Sequence, residues 1–328
     1  MNFAVADEQP HPILPKKNSV LTSKTLEDPA LWRAQKFHFC VFNALPIVLT
    51  CVAVIFFPPS WVDLSLLLAL WVTTALGLTC GYHRHFSHRS FQATKAGRVL
   101  LAIMGSLACQ GPVITWAAFH RRHHELSDEP GDPHTPNCSG QGPLRIARGF
   151  LFTVLTWMWK HPMPNPGVYA VDLMKDRLMT RINKLYYPIV IAGAIFPALV
   201  GLGYGLLAGL DPIMTTLSAF LWGWAVRTFV VSSIIGWVNA ANHLWGIRSF
   251  KTKERSRNIP GLGLLTFGET WHNNHHAFPN SARVGLLPRN IDTGYYFILL
   301  LRKLGLVTTI QSPSRERINQ RLNLKENS

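Results

Sequence analysis

Charged residues are scarce in this sequence: 15% of its 328 residues are Asp, Glu, Lys or Arg, against roughly 25% in an average soluble protein. Acids are the scarcer sign, 17 against 32 Lys and Arg, for a net charge of +15. That excess is not gathered on one soluble module, as nucleic-acid binding requires, but is interrupted by long apolar runs. No nucleic-acid partner is expected. Cysteine is limited to Cys40, Cys51, Cys80, Cys109 and Cys138, an odd number without C-x-x-C spacing. Four of them lie in or beside apolar runs, which argues against a disulfide framework or a thiolate metal site and for buried reduced thiols. No flavin or nicotinamide fingerprint, iron–sulfur cysteine set or haem-binding extension is evident. The first 36 residues are polar, carry four prolines and lack an apolar stretch after a basic start. A cleaved signal peptide is therefore not expected.

What is abundant is apolar: 48% of the chain is hydrophobic. Crossing a bilayer takes about 20 mostly apolar residues, and four stretches qualify: 39–57, 64–80, 187–207 and 213–238. The turns PPSWVD and LAGLDP that join them in pairs hold no Lys or Arg. Of the 32 basic residues, 31 fall in segments 1–38, 81–186 and 246–328. Cytoplasmic loops collect positive charge, so all three segments, which include both termini, are expected on the cytoplasmic side, facing anionic lipid. The fold class that follows is an all-α, multi-pass integral membrane protein with four transmembrane helices and a cytoplasmic helical cap. A polar N-terminal segment (1–38) precedes a single domain (39–310), whose cap comprises 81–186 and 239–310, and a polar tail (311–328) follows. Arg227 lies inside the fourth span, where a charge is costly and faces the bundle interior or a partner; structural pairing is expected. The runs Val99–Cys109, Gly149–Trp159 and 295–306 are too short to span and read as interfacial or core helices.

Histidine is clustered. Ten of the 14 lie in three stretches, GYHRHFSHRS (81–90), FHRRHHELSDEPGDPH (119–134) and ETWHNNHHAFP (269–279). In H-x-x-H-H the positions i, i+3 and i+4 share one helical face. His120, His123 and His124 are thus expected to point together, as are His272, His275 and His276. Six imidazoles on two such faces can surround one or two metal ions, and imidazole suits Zn, Cu, Fe and Ni alike. His83 and His88 are about 140° apart on an ideal α-helix, so they converge only if the helix ends or distorts, for which a break near Gly81 is the natural place. Asn239 and His243, in VNAANH, lie one turn apart at the end of the fourth span. His85 points off the face of its neighbours, and His134 in DPH is placed to support the site from a loop.

These residues resemble the membrane fatty-acyl desaturase family, of the acyl-CoA and Δ9-type acyl-lipid group. The matches are H-x4-H at HRHFSH, H-x-x-H-H at HRRHH with DPH downstream, N-x-x-x-H at VNAANH, and GETWHNNHHAFPNSAR. They occur in the right order over roughly 40–310. The resemblance implies a di-iron centre (Fe2+/Fe3+) with O2 as co-substrate. Its ligands would be His83, His88, His120, His123, His124, His243, His272, His275 and His276, with Asn239 holding one iron through a water. It also implies an apolar substrate tunnel under the metals, with Gln110 and Trp116 at its bend and Trp71 and Ala75 closing its far end. The chain departs from the pattern at His85 and Thr270, neither a presumed ligand, and at Ile235, where relatives often carry threonine near the bend.

The activity implied is O2-dependent insertion of a cis double bond, Δ9 in position, into a saturated chain of fatty acyl-CoA or acyl-lipid. Neutral imidazoles hold iron without cancelling its charge, and neighbouring carboxylates orient them by accepting their free N–H groups; Asp128, Asp132 and Glu269 are the candidates. Lys160, in WKHP, reads equally as a CoA-phosphate contact or an interfacial anchor. The electrons are expected from an external donor of the cytochrome b5 or ferredoxin-like kind. Two alternatives stand beside this reading: a membrane di-iron hydroxylase acting on another lipid, and a metal transporter or sensor, which would place its ligands at mid-membrane.

Overall fold

The computed structural model describes residues 24–322 apart from 139 and 141. Four helices are long and apolar enough to cross a membrane: Pro29–Phe56, Trp61–Ser87, Tyr186–Ala208 and Pro212–Leu244. The first begins ten residues ahead of its apolar run, because Asp28 caps it, accepting from the Ala30 amide at 2.7 Å, and Pro29 occupies the first turn. Pro is pre-organised for that position. The second span starts at a reciprocal cap between Ser60 and Asp63. The third ends at Gly209 in the left-handed conformation (φ 66°), and the fourth restarts under an Asp211 cap with Pro212 behind it.

The outer faces of the spans are bare hydrocarbon. Ile55, Leu68, Leu206, Leu207 and Ile213 are all more than half exposed, as side chains facing lipid should be. The fourth span is the most buried of the four. Its Arg227 is buried and donates to the Leu107 carbonyl at 2.6 Å; its role is structural, through backbone carbonyls, and no carboxylate pairs with it among the described residues. The chain is an integral membrane protein.

The cap rests on the ends of these helices. Helix Lys95–Ser106 crosses the second span where Gly77 leaves room; a Cβ there would sit 2.3 Å from the Met104 backbone. Helix Val113–Leu126 lies beside it, and a broken helix over 145–160 follows. The expected short helices at 99–109, 149–159 and 295–306 thus appear, the last as Thr293–Lys303. Two small antiparallel ladders tie distant segments together: Thr25–Leu26 with Met163–Pro164, and Phe91–Ala93 with Val307–Ile310. Tyr82, Phe86, Phe91, Leu101, Ala117 and Ile298 form part of one buried apolar core beneath the histidines.

One local feature departs from the sequence reading. The second span does not break near Gly81; its last 11 residues, Gly77–Ser87, wind as a π-helix. Such helices bond i to i+5 and occur mostly at functional sites. The His88 amide donates to the His83 carbonyl at 3.2 Å, and the two rings come to 5.1 Å. The wider winding does what an α-helix could not: it stacks positions five apart.

Candidate metal centre

The nine predicted imidazoles converge, but as two groups. His83, His88, His120, His124 and His275 form one, and His123, His243, His272 and His276 the other; within each, the nitrogens all lie within 4.8 Å of one another. In the first group the Nε2–Nε2 distances are 2.9 Å for His83–His275, 2.7 Å for His88–His120 and 2.9 Å for His124–His275. In the second they are 3.0 Å for His243–His272 and 3.1 Å for His272–His276.

Each H-x-x-H-H run is therefore divided rather than pointed one way. On helix Val113–Leu126, His120 and His124 turn to the first group and His123, about 100° round from its neighbour, to the second. On helix His272–Ala277 the division is reversed: His272 and His276 serve the second group and His275 the first. Two short motifs thus interlock across the pair of sites. The rings of His124 and His276 stack at 4.4 Å where the groups meet.

Carboxylates hold the rings from behind. Glu269 lies 2.6 Å from Nδ1 of His83, Asp132 takes Nδ1 of His123 at 2.9 Å, and Asp128 takes Nδ1 of His243 at 2.8 Å. Asp128 reaches that position in the left-handed conformation (φ 63°) just past the helix end, which Asp tolerates better than most residues. Burial opposes its ionisation, yet His243 and hydrogen bonds from Thr135 and Asn137 hold its carboxyl far below the usual range. Asp132 and Glu269 are likewise buried and likewise held low, by His123 and by His83 with Arg84. Burial, then the charge of neighbouring histidines, drives His88, His120, His124, His272, His275 and His276 well below the ordinary imidazole range. All six are neutral donors at physiological pH.

This donor set fits a pair of metal ions. With Nδ1 of His123 donating to Asp132, its Nε2 is a bare lone pair, buried without a hydrogen-bond partner among the described residues. His83 and His243 also give their Nδ1 protons to acids and turn lone pairs inward. Ring nitrogens converging at such distances either share N–H···N bonds or hold a cation between them, and a set of four or five in each group suits the latter. The closed, all-imidazole surroundings suit a borderline transition metal.

Four participants escaped the sequence reading. Arg84 is almost wholly buried and donates to Glu269 at 3.1 Å and to Asp292 at 2.9 Å. Gly268 is required beside them, since a Cβ would lie 2.4 Å from Asp292. Glu254 lies 3.7 Å from Nδ1 of His276. An Arg directly after the first histidine was a signal for the ion pair; Glu254 sits in a basic loop with none. His134 stacks on His123 at 4.3 Å, supporting the site as expected. His85 instead bonds the Phe91 carbonyl at 3.0 Å, away from both groups.

A cavity of about 260 Å³ opens beneath the metal sites. Trp71, Ala75, Gln110, Trp116, Ile235 and Asn239 line it, and His83, His120 and His272 reach its wall. Trp116 stacks on His120 at 5.0 Å and Gln110 donates to Ser232 at 2.7 Å. Lys160 is exposed and stands outside this lining. The arrangement is a pair of histidine groups, each able to hold a metal ion, above an apolar pocket inside a membrane protein.

A fatty acid desaturase family model matches residues 59–286. The chain belongs to that family. Its relatives include a hex-5-enoyl-[acyl-carrier protein] acetylenase of Moorena producens (strain JHB), 39% identical over 301 residues that cover 90% of this chain and 92% of the relative. Delta-9 acyl-lipid desaturase 1 of Arabidopsis thaliana is 32% identical over 255 residues, covering 78% and 77%. The sn-1 stearoyl-lipid 9-desaturase of Anabaena variabilis is 34% identical over 255 residues, covering 77% and 85%. Family membership makes the chain an oxidoreductase of acyl lipid metabolism. It also gives the two histidine groups and the cavity a common purpose, since a desaturase must hold metal and acyl chain side by side.

Proposed function

We propose that the chain is an O2-dependent desaturase that introduces a cis double bond at the ninth carbon of a saturated acyl chain, carried on a lipid or on CoA, with two irons held by the two histidine groups. The observation that carries this reading is the opening of an apolar cavity onto His83, His120 and His272, members of both groups. The chemistry supplied by iron and O2, once bound there, is hydrogen removal from an unactivated methylene, which no side chain achieves alone.

The chain's own residues position and exclude. Glu269, Asp128 and Asp132 fix the ring tautomers, so that Nε2 of His83, His243 and His123 is presented as a lone pair. Asn239, one turn before His243 and on the cavity wall, would hold one metal through a water. Trp116, stacked on His120, shields that ring and shapes the bend at which a methylene is offered. Trp71, 5.4 Å from Phe267, closes the cavity as a floor that limits chain length. Removing two hydrogens from the chain while reducing O2 to two waters takes two further electrons and two protons. A cytochrome b5 or ferredoxin-like donor supplies the electrons on the cytoplasmic side, where the distribution of Lys and Arg supports placing the cap and both termini.

A second reading has its own support. The Moorena producens relative is named an acetylenase of an acyl-carrier-protein substrate; on that reading the bound chain is already unsaturated and leaves with a triple bond. Expression in a host lacking unsaturated fatty acids, fed a saturated acid in one culture and a monounsaturated acid in another, followed by gas chromatography with bond mapping, decides. A cis Δ9 alkene is expected; an alkyne would favour the second reading, and a hydroxylated chain would overturn both. Trp71→Ala should extend the accepted chain by about two carbons or more, read in the same chromatogram; an unchanged product profile removes Trp71 as the floor.

A further inference from the structure

The loop 251–257, Lys-Thr-Lys-Glu-Arg-Ser-Arg, alternates cations with small polar or acidic residues. Its two sides face different things. Lys251, Lys253 and Arg255 are exposed, and Arg257 is half-buried. Thr252, Glu254 and Ser256 turn inward: Asn273 donates to the hydroxyls of Thr252 and Ser256 at 3.2 and 3.4 Å, and Ser256 donates to Glu254 at 2.9 Å. Arg248 pins the loop by donating to the carbonyls of Thr252 and Glu254.

The inner side ends on the second histidine group. Glu254 lies 3.7 Å from Nδ1 of His276. The Arg255 amide donates to Asp128 at 2.8 Å, and the same carboxylate oxygen accepts from His243 at 2.8 Å. Two short routes thus connect a solvent-facing strip to two presumed ligands. The loop contact on the first group, Glu269 on His83, comes from a segment, 259–271, that holds no Lys or Arg.

The segment that carries the strip presents one sign. Residues 245–292 hold seven cations, Arg248, Lys251, Lys253, Arg255, Arg257, Arg283 and Arg289, and three acids. The acids are all turned inward: Glu254 to His276, Glu269 to His83, and Asp292 to Arg84. Nothing anionic from this segment offsets the strip, and such a one-signed patch steers an oppositely charged partner.

We infer that loop 251–257 is the docking face for a reduced, acidic, one-electron carrier protein, and that electrons enter at the second histidine group beside His276 and His243. The inference rests on the desaturase reading. In each encounter the carrier loses one electron and the histidine-held centre gains it; two encounters supply one turnover. Anionic lipid would also be drawn to these cations, but lipid contact does not account for the direct hydrogen-bonded link between the strip and the metal ligands.

The test uses the full-length, metal-loaded protein in nanodiscs with a reduced plant-type ferredoxin or the soluble domain of cytochrome b5 as the probe. Lys251→Glu with Lys253→Glu should raise the KM for the carrier about tenfold with kcat nearly unchanged, and flatten the salt dependence of its reoxidation. Lys251→Arg with Lys253→Arg should retain the parent KM, and Arg177→Glu with Arg181→Glu, exposed on the cap helix Arg177–Lys184, should leave it unchanged. Iron content of each variant confirms an intact centre. An unaltered KM in the Lys-to-Glu pair overturns the docking face, as does a pair that loses only its affinity for anionic-lipid vesicles. Wild-type protein that holds iron yet forms no double bond even with dithionite as reductant would instead overturn the desaturase reading.

Discussion

The two histidine groups use one ligand type in two electrostatic settings. Behind the first stands a single carboxylate, Glu269, shared with the buried Arg84, which Asp292 also engages. Behind the second stand Asp128, Asp132 and Glu254, each on a different imidazole and none against a buried guanidinium. The first surroundings carry a net of one negative charge and the second three. Carboxylates behind a ligating imidazole raise its basicity, so the second group would be the stronger donor set toward a metal although it has one fewer ring. Ligand count and ligand strength are set by different parts of the chain.

The largest effect that can break this comparison is loss of a ligand. His275→Ala and His272→Ala should both abolish double-bond formation. Metal analysis should show the first variant keeping more iron than the second, because four donors remain in its group and three in the other; equal losses would mean that the five donors are not equivalent. Next is Arg84→Leu, which strands Glu269 and Asp292 in the interior. Breaking a buried pair costs about 3–5 kcal/mol, so thermal unfolding in detergent should shift sharply downward, with no counterpart for the exposed Arg255. Removing one carboxylate comes third. Glu269→Gln and Asp128→Asn should each weaken metal retention about 10- to 100-fold in chelator competition, with the larger loss in Glu269→Gln, whose group has no second acid.

The last test concerns pH, and its effect is graded. Burial, with neighbouring positive groups, pushes His134 down to about 3 and His161 down to about 4. Both stay neutral in the fold while the unfolded chain takes up protons below about 6.5. Stability of the metal-free protein should therefore fall as pH drops below 6.5, by about 1.4 kcal/mol per pH unit for each group, until about 4 for His161 and about 3 for His134. Denaturation midpoints between pH 7.5 and 5 measure this. His161→Gln should flatten the slope without touching either metal group, whereas His134→Gln acts at the ring stacked on His123.

The ligands were legible because their spacing is local: a helix places i and i+4 together whatever surrounds it, and apolar length marks a span without any contact being known. The division of each triplet was not legible, since the direction taken by His123 and His275 depends on where the partner helix lies. The π-winding of Gly77–Ser87 was visible only as a difficulty, the 140° between His83 and His88. The start of the first span at Pro29 was signalled by Asp28 and Pro29 but masked by polar residues that lie against the cap. Glu254 and Asp292 act across sequence distances that no periodicity encodes, and Lys160 shows the converse, a plausible basic residue that the fold brings to neither cluster nor cavity.

The ladder between Phe91–Ala93 and Val307–Ile310 has a consequence for how the protein comes into being. It fastens the segment just after the first histidine box to one made more than 200 residues later. Both groups also wait on the helix that begins at His272. A ribosome must pass His276 before either group has its full set of imidazoles, so any loading with metal would follow the making of most of the polypeptide. Nascent or truncated chains should leave the translocon with their imidazoles uncommitted, to be cleared rather than filled.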